Sequence, residues 1–528
     1  MNLQIQNPIL PGFHPDPSIC RVGDDFYIAT STFEWYPGVE INHSKDLKTW
    51  QLAARPLDRK ALLDMRGNPD GCGVWAPALS YAEGLFWLIY TDVKRYDGNY
   101  KDTHNYLTTA PSIEGPWSDP VYLNSSGFDP SLFHDADGRK WLVNMGWDYR
   151  GAHGPRHGGF FAGILLQEFD HVKGQLVGPV HRIFEGSNLK FTEAPHLLSH
   201  DGRYHLCTAE GGTGYDHAVT YARADRIEGP YELHPHAHVL TAKDNAAAPL
   251  QRIGHGQLTK DQDGQVWHTF LCSRPLPGSR RSPLGRETGI ARCFWQDDGW
   301  LYCEPPEFDD RTDDNVEDQH EYFFDGHLPG DFQWLRTPEA DRIYSLSQRP
   351  GHLRLIGRES VGSWFEQALI ARRQTGWHYT AETEIDFQPR DEQSMAGLIA
   401  YYNRFQFHYL YLAADDGGQR RLSIQSCNGD WPEAKLTFPI DMGLLVPDGP
   451  LELGVDVDQS DLQFRWRAQG EDWVEVGPRL DASLLSDEAG RGEHANFTGA
   501  FIGMAAQDIS GRAHPADFRR FSYCNRKG

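Results

Sequence analysis

"DPSICRVGDDFYIATS" (residues 16–31) decides the fold, because its pattern returns four more times. The later copies are "WAPALSYAEGLFWLIYTD" (75–92), "DPSLFHDADGRKWLVNMG" (129–146), "EAPHLLSHDGRYHLCTAE" (193–210) and "HGQLTKDQDGQVWHTFLC" (255–272). Each runs from a marked first residue through a small or Pro step to an apolar residue. A polar turn follows, usually with Gly, and then an aromatic or apolar run. That is the grammar of a β-hairpin. The copies start about 55–65 residues apart, room for roughly four short strands per unit. Between them "SIEGPWS" (112–118) and "RIEGPYE" (226–232) echo each other, and "SKDLKTWQL" (44–52) resembles the segment before that echo. All three read as outer strands of the same unit. Five such units closing in a ring make a five-bladed β-propeller over residues 1–315.

In a propeller the innermost strand of each blade lines the axis, so equivalent positions converge at one end. Asp16, Trp75, Asp129, Glu193 and His255 open the five copies and should share one funnel. The chain has 74 acidic residues, and only the repeat singles out these three. Asp16 lies between Pro15 and Pro17. A proline pushes the residue before it toward extended backbone, so Asp16 is expected to be rigid and extended.

After "EPPEFDDRTDDNVEDQHEYFFDG" (304–326) the repeat stops, and this acidic stretch reads as a linker. Beyond it, "HLRLIG", "YTAETEIDF", "AGLIAYYN", "FHYLYLAAD", "RLSIQS", "LELGVDV", "LQFRWRA", "WVEVG" and "FIGMAA" alternate between Gly, Asp and Asn turns. An antiparallel β-sandwich over 316–528 is predicted, making the whole chain all-β.

The 528 residues exceed one ordinary core. Aromatics make up 12%, beside 53 Gly and 33 Pro, which favours short strands over long helices. A net charge of −24 argues against nucleic acid and against an acidic polysaccharide. No apolar run reaches the length of a membrane span. The N-terminus "MNLQIQNPIL" has neither the basic nor the apolar region of a secretory signal, and the eight Cys show no CxxC pair or zinc spacing. The expectation is a cytoplasmic protein with free thiols. "HPHAH" (234–238) is read as an exposed loop rather than a metal site.

Carboxyl groups facing one cleft suit glycosidic bond cleavage. One must be protonated to serve the leaving oxygen and another ionised to activate water. Crowding favours that split, because like charges raise the pKa of one member. Trp75 offers an apolar face for a sugar ring. Any one of these carboxylates alone reads first as a turn residue; three at matching repeat positions reverse that. His255 stays open between a structural histidine and a sugar contact. No cofactor is expected, and Ca²⁺ near the propeller axis is the alternative left open, without an EF-hand or Asp-rich loop to support it.

"FHPDPSI" (13–19), "GVWAPALSY" (73–81), "GFDPSLF" (127–133) and "FTEAPHL" (191–197) resemble glycoside hydrolase family 43. "TSTFEWYPGVEINHSKDL", "TAEGGTGYDH", "PLGRET" and "FTGAFIGM" resemble its β-xylosidase branch, a five-bladed propeller followed by a β-sandwich. The resemblance spans essentially the whole chain. It implies Asp16 as general base, Glu193 as general acid, and Asp129 as the group that raises and orients the acid. It also implies inversion of the anomeric centre. Phe33, Trp75, Trp147 and Phe497 would wall a short pocket, with Arg286 on the sugar hydroxyls. Asn496 stands where the branch carries an aromatic. The implied activity is that of an exo-acting β-1,4-xylosidase on xylooligosaccharides, with α-L-arabinofuranosidase side activity. A dedicated arabinofuranosidase and a non-catalytic carbohydrate-binding propeller are the rivals. The branch also implies a homo-oligomer, a tetramer being the expected form.

Overall fold

The structure is a computed structural model and describes residues 4–153, 159–308, 319–429, 433–490 and 497–526. The sequence-based domain boundary at 315/316 lies outside the described residues, as does Asn496.

Seven antiparallel sheets account for the strands. Five are small and follow one another along the chain. Blade 1 begins at Ser18–Val22, blade 2 at Gly73–Ala82, blade 3 at Gly127–His134, blade 4 at Glu193–His200 and blade 5 at Gln251–Gly254. The first four blades have four strands each. Blade 5 has a fifth, Leu258–Lys260, because its innermost strand is interrupted after Gly254 and resumes on the same neighbour. Each repeat copy forms the innermost hairpin of its blade, for example Ser18–Val22 against Asp25–Thr30.

Blades pack face to face through apolar side chains. Trp87, Ile89 and Leu107 of blade 2 meet Leu132, Leu142 and Phe169 of blade 3. Ile19, Phe26 and Ile28 of blade 1 meet Trp267 and Ile290 of blade 5 together with Ile5, Ile9 and Leu10. That last cluster closes the ring. The N-terminal stretch runs along blade 5, where Ile9 N–H donates to Thr288 O at 2.9 Å and the Asn7 side chain bonds both backbone groups of Ile290. Closure therefore brings the start of the propeller beside its end.

The echoing segments are turns, not outer strands. Residues 112–118 and 226–231 link the third strand of blades 2 and 4 to the fourth. Their Gly-Pro steps favour a turn over a strand. In each, an aromatic folds back on a carbonyl four residues earlier: Trp117 Nε1–H donates to Ile113 O at 3.2 Å and Tyr231 O–H to Ile227 O at 3.1 Å. Residues 45–50 do the same work in blade 1, with Trp50 Nε1–H donating to Leu47 O at 3.1 Å. "HPHAH" is likewise not a loop but part of the outer strand Glu232–Thr241 of blade 4, with His234 packed on Trp300 and Tyr302.

The second half is a sandwich of an eight-stranded and a nine-stranded sheet, and all nine segments named from the sequence fall on its strands. One strand of the nine comes from the propeller. Trp35–Tyr36 pairs with Phe332–Leu335 of the sandwich. Trp35 is fully buried and stacks on Phe501 with ring centroids 3.7 Å apart. Apolar clusters run across this junction, with Val39, Ile41 and Val74 in the same core as Phe332, Ile370 and Leu398. Glu40 of the propeller is buried there among Arg55, His14 and the sandwich's Arg373.

Candidate active site

One cavity of about 290 Å³ opens at the propeller axis, and all nine residues singled out from the sequence line it: Asp16, Phe33, Trp75, Asp129, Trp147, Glu193, His255, Arg286 and Phe497. The first residues of the five repeats thus meet in space. They meet through irregularity rather than regular pleating. The innermost strands of blades 2, 3, 4 and 5 each break register beside the marked residue, at Trp75/Ala78, Phe128/Ser131, Glu193/His196 and Gln251/Gly254. Such bulges re-aim side chains near sites.

Asp16 is not extended as its prolines suggested. Its φ is +56°, and Asp129, also before a proline, has φ +52°. In blade 4 the same pre-proline conformation falls on Ala194, φ +52°. Glu193 is thus offset by one residue from the two Asp positions. Left-handed backbone is costly for residues with a Cβ but least so for Asp and Asn. Tertiary contacts around each strand override the local preference of X-Pro.

Asp16 is buried and bound on several sides. Arg286 Nη1 lies 3.0 Å from its Oδ1, and Ser31 Oγ donates to Oδ2 at 2.7 Å. His255 Nδ1 stands 3.6 Å from Oδ1. Burial works against the charge, yet Arg286, His255 and Ser31 hold the Asp16 carboxyl below the ordinary carboxylate range. Arg286 reaches it because of ring closure, His14 N–H donating to Arg286 O at 3.0 Å.

Asp129 and Glu193 behave oppositely. Burial first, and the Asp16 charge second, push Asp129 up to about 8. Burial, Asp129 and Asp16 push Glu193 well above its ordinary value. Two facts distinguish the members of this close pair. Asp129 Oδ2 accepts the Ala194 N–H at 3.1 Å, which favours its anion. Among the described residues no donor bonds the Glu193 carboxyl. The cluster is thus split in direction: Arg286 and Ser31 favour the Asp16 anion, while burial and the neighbouring carboxylates favour a proton on Glu193. Ser131 Oγ, donating to Pro195 O at 2.6 Å, ties blade 3 to blade 4 beside them.

The walls are aromatic. Trp75 meets Phe128 and Phe497 edge-on at 5.1 and 5.6 Å, and Phe33 lies 5.8 Å from Phe497. Phe497 comes from the sandwich, and its carbonyl accepts from Arg286 Nη2 at 3.0 Å and Nε at 3.3 Å. Burial, with help from Arg286, pushes His255 down to about 4, so it is a neutral imidazole near neutral pH. Trp147 borders the opening and stacks on Phe160 at 5.2 Å.

The sequence reading missed Tyr96, Lys101, Phe128, Phe161, Phe191 and Thr213, which also line the cavity. Phe128 and Phe191 could have been found, since they immediately precede or nearly precede Asp129 and Glu193. Tyr96 and Lys101 belong to the connection between the second and third strands of blade 2; the equivalent connections of blades 1, 4 and 5 supply Phe33, Thr213 and Arg286. Among the described residues no group of three or more His, Cys, Asp or Glu side chains is placed to hold a metal ion. Nor is any helix among them long and apolar enough to cross a membrane.

Comparison with known proteins fits this geometry. The Glycosyl hydrolases family 43 profile matches residues 5–301, and that of the Beta xylosidase C-terminal Concanavalin A-like domain matches 320–524. The chain is 54% identical over 530 residues to "Xylosidase/arabinosidase 43B" of Humicola insolens, covering 98% of this chain and 97% of that one. It is 44% identical over 540 residues to a "Beta-xylosidase" of Bacillus subtilis (strain 168), covering 99% of both. The crystal structure of xylan beta-1,4-xylosidase from Bacillus Halodurans C-125 superposes with a TM-score of 0.92 at 45% identity, covering 99% of this chain and all of that one. With a matching catalytic fold, a matching second domain and full-length relatives, this chain belongs to glycosyl hydrolases family 43.

Proposed function

We propose that the protein is an exo-acting, inverting β-1,4-xylosidase that releases xylose from the non-reducing ends of xylooligosaccharides. The observation that carries the reading is the gathering of Asp16, Asp129 and Glu193 in one pocket, with Arg286 and Ser31 bonded to Asp16. Arg286 lowers the Asp16 carboxyl, while burial and the neighbouring carboxylates raise that of Glu193.

The chemistry follows from that arrangement. Glu193 gives its proton to the glycosidic oxygen as the bond to the anomeric carbon breaks. A water on the opposite face loses a proton to Asp16 as it adds to that carbon, inverting it. Asp129 keeps Glu193 protonated until that moment and, through the Ala194 N–H, fixes the strand that carries it. Trp75 and Phe33 stack on the sugar, and Arg286 fixes Asp16. Phe497 ends the pocket, which supports attack at chain ends rather than within a polymer.

The names of the relatives support both xylosidase and arabinosidase activity. Side activity on α-L-arabinofuranosides is part of the proposal, because the two sugars present similar hydroxyls to one small pocket. The test compares kcat/KM on 4-nitrophenyl β-D-xylopyranoside and α-L-arabinofuranoside, with NMR of the first-formed xylose anomer. Preference for the xyloside with α-xylose formed first is expected. Predominant arabinosidase turnover, or β-xylose as first product, overturns the reading.

A further inference from the structure

Behind the aromatic wall lies a buried charged cluster that the reaction does not use. Glu34 and Asp70 come from the propeller, and Arg336 and Arg404 from the sandwich. Glu34, Asp70 and Arg336 are each 5% exposed or less.

Arg336 spends its whole guanidinium on this junction. Nε donates to Asn68 O at 2.7 Å, Nη2 to Asp70 Oδ1 at 2.6 Å and Nη1 to Gln367 Oε1 at 2.8 Å. Its backbone N–H donates to Glu34 O at 2.9 Å. Arg404 Nε stands 3.5 Å from Asp70 Oδ2. The effect is to clamp the turn at residues 68–71 from two sides.

That turn carries the anchor of a sugar-binding residue. Glu34 Oε2 accepts the Gly71 N–H at 3.1 Å, and Gly71 O accepts the Trp75 indole N–H at 2.8 Å. Phe33, next to Glu34, exchanges backbone bonds of 2.9 and 3.0 Å with Val74, next to Trp75. A chain of bonds therefore runs from the sandwich through Arg336, Glu34 and Gly71 to the two aromatic rings of the pocket wall.

We propose that Glu34 and Arg336 are positioning residues for sugar binding, setting the Trp75 and Phe33 rings through the 68–71 turn. The inference rests on the xylosidase reading of the pocket. Neither residue lines the cavity, so any effect on the substrate must pass through the rings. Burial and Asp70 outweigh Arg336 and raise the Glu34 carboxyl, so glutamine is its close neutral mimic.

Ring orientation matters to bound substrate and transition state alike, so its loss raises KM and leaves kcat nearly unchanged. The test is a double-mutant cycle on 4-nitrophenyl β-D-xylopyranoside. Glu34→Leu removes the acceptor for Gly71 and should raise KM about tenfold, the size of one lost buried hydrogen bond. Glu34→Gln keeps the acceptor and should restore the wild-type KM. In a Trp75→Phe background, which has no indole N–H to anchor, Glu34→Leu should add little. Arg336→Lys keeps a positive charge between the acids but loses the fork. It should show the same KM increase and the same dependence on Trp75, and it serves where Glu34→Leu does not fold. A KM increase equal in both backgrounds, or a fall in kcat alone, overturns the inference. Absence of xyloside turnover in the wild type instead overturns the functional reading.

Discussion

Arg286 and Asp16 are 270 residues apart in sequence, and their side chains meet at 3.0 Å inside the pocket. The same guanidinium bonds the Phe497 carbonyl with its other two nitrogens. One side chain of blade 5 thus fixes the ionised carboxylate of blade 1 and the aromatic supplied by the sandwich.

Removing the charge in Arg286→Met should lower kcat/KM by about a hundredfold, the loss of a charge-assisted bond at a reacting group. The pH profile distinguishes this from misfolding. Arg286 holds the Asp16 carboxyl low, so without it the Asp16 pKa rises. The base must be ionised, and the acidic limb of kcat/KM therefore moves to higher pH.

Glu193→Gln should abolish turnover of xylobiose, whose leaving group needs a proton. Aryl xylosides with good leaving groups should keep more activity. Xylose binding, read by calorimetry, should be nearly unchanged. In the wild type the rate falls as pH rises through the Glu193 pKa, so the alkaline limb should vanish in this variant.

Asp129→Asn removes the negative charge that disfavours ionisation of Glu193. The Glu193 pKa then falls, and the alkaline limb should move to lower pH. A loss of about ten- to a hundredfold in kcat/KM at neutral pH is expected, the usual reach of a misplaced general acid.

Glu40→Ala tests the junction away from the pocket. Against the cost of burial, Arg373 and Arg55 hold the Glu40 carboxyl well below its ordinary range. Leaving the buried Arg373 and the partly buried Arg55 uncompensated should cost about 3–5 kcal/mol in denaturant unfolding. In the wild type this contribution is complete at neutral pH. It declines once pH drops below the unfolded carboxylate pKa of about 4.3, and is lost as pH falls through the folded one.

The repeat made the blades legible because the same polar turn closes each inner hairpin. The outer strands were misread for a physical reason: what recurs there is the Gly-Pro turn, with Trp117 or Tyr231 folded onto a carbonyl. The strands beside it repeat no residue. The carboxylates were legible as positions but not as conformations. The φ of +56° at Asp16 goes with contacts its prolines do not announce, to Ser31 across the hairpin and to Arg286 of blade 5. Tyr96 and Lys101 escaped because the connection that carries them, present in every blade, repeats no residue pattern as the hairpins do. The buried Glu34 stands between Phe33 and Trp35, and nothing near it in sequence points to its partner Arg336, 302 residues away.

The pairing of Trp35–Tyr36 with Phe332–Leu335 has a consequence for modularity. The family profiles divide the chain neatly in two, but the hydrogen-bonded sheets do not. A propeller cut free after blade 5 would expose the backbone of Trp35–Tyr36 and the faces of Phe13 and Trp35, and would lose Phe497 from its pocket. The freed sandwich would gain an open sheet edge, the usual template for aggregation. Exchanging sandwiches between relatives would therefore demand matched partners for a strand the donor never carried. The two halves are woven, not merely tethered.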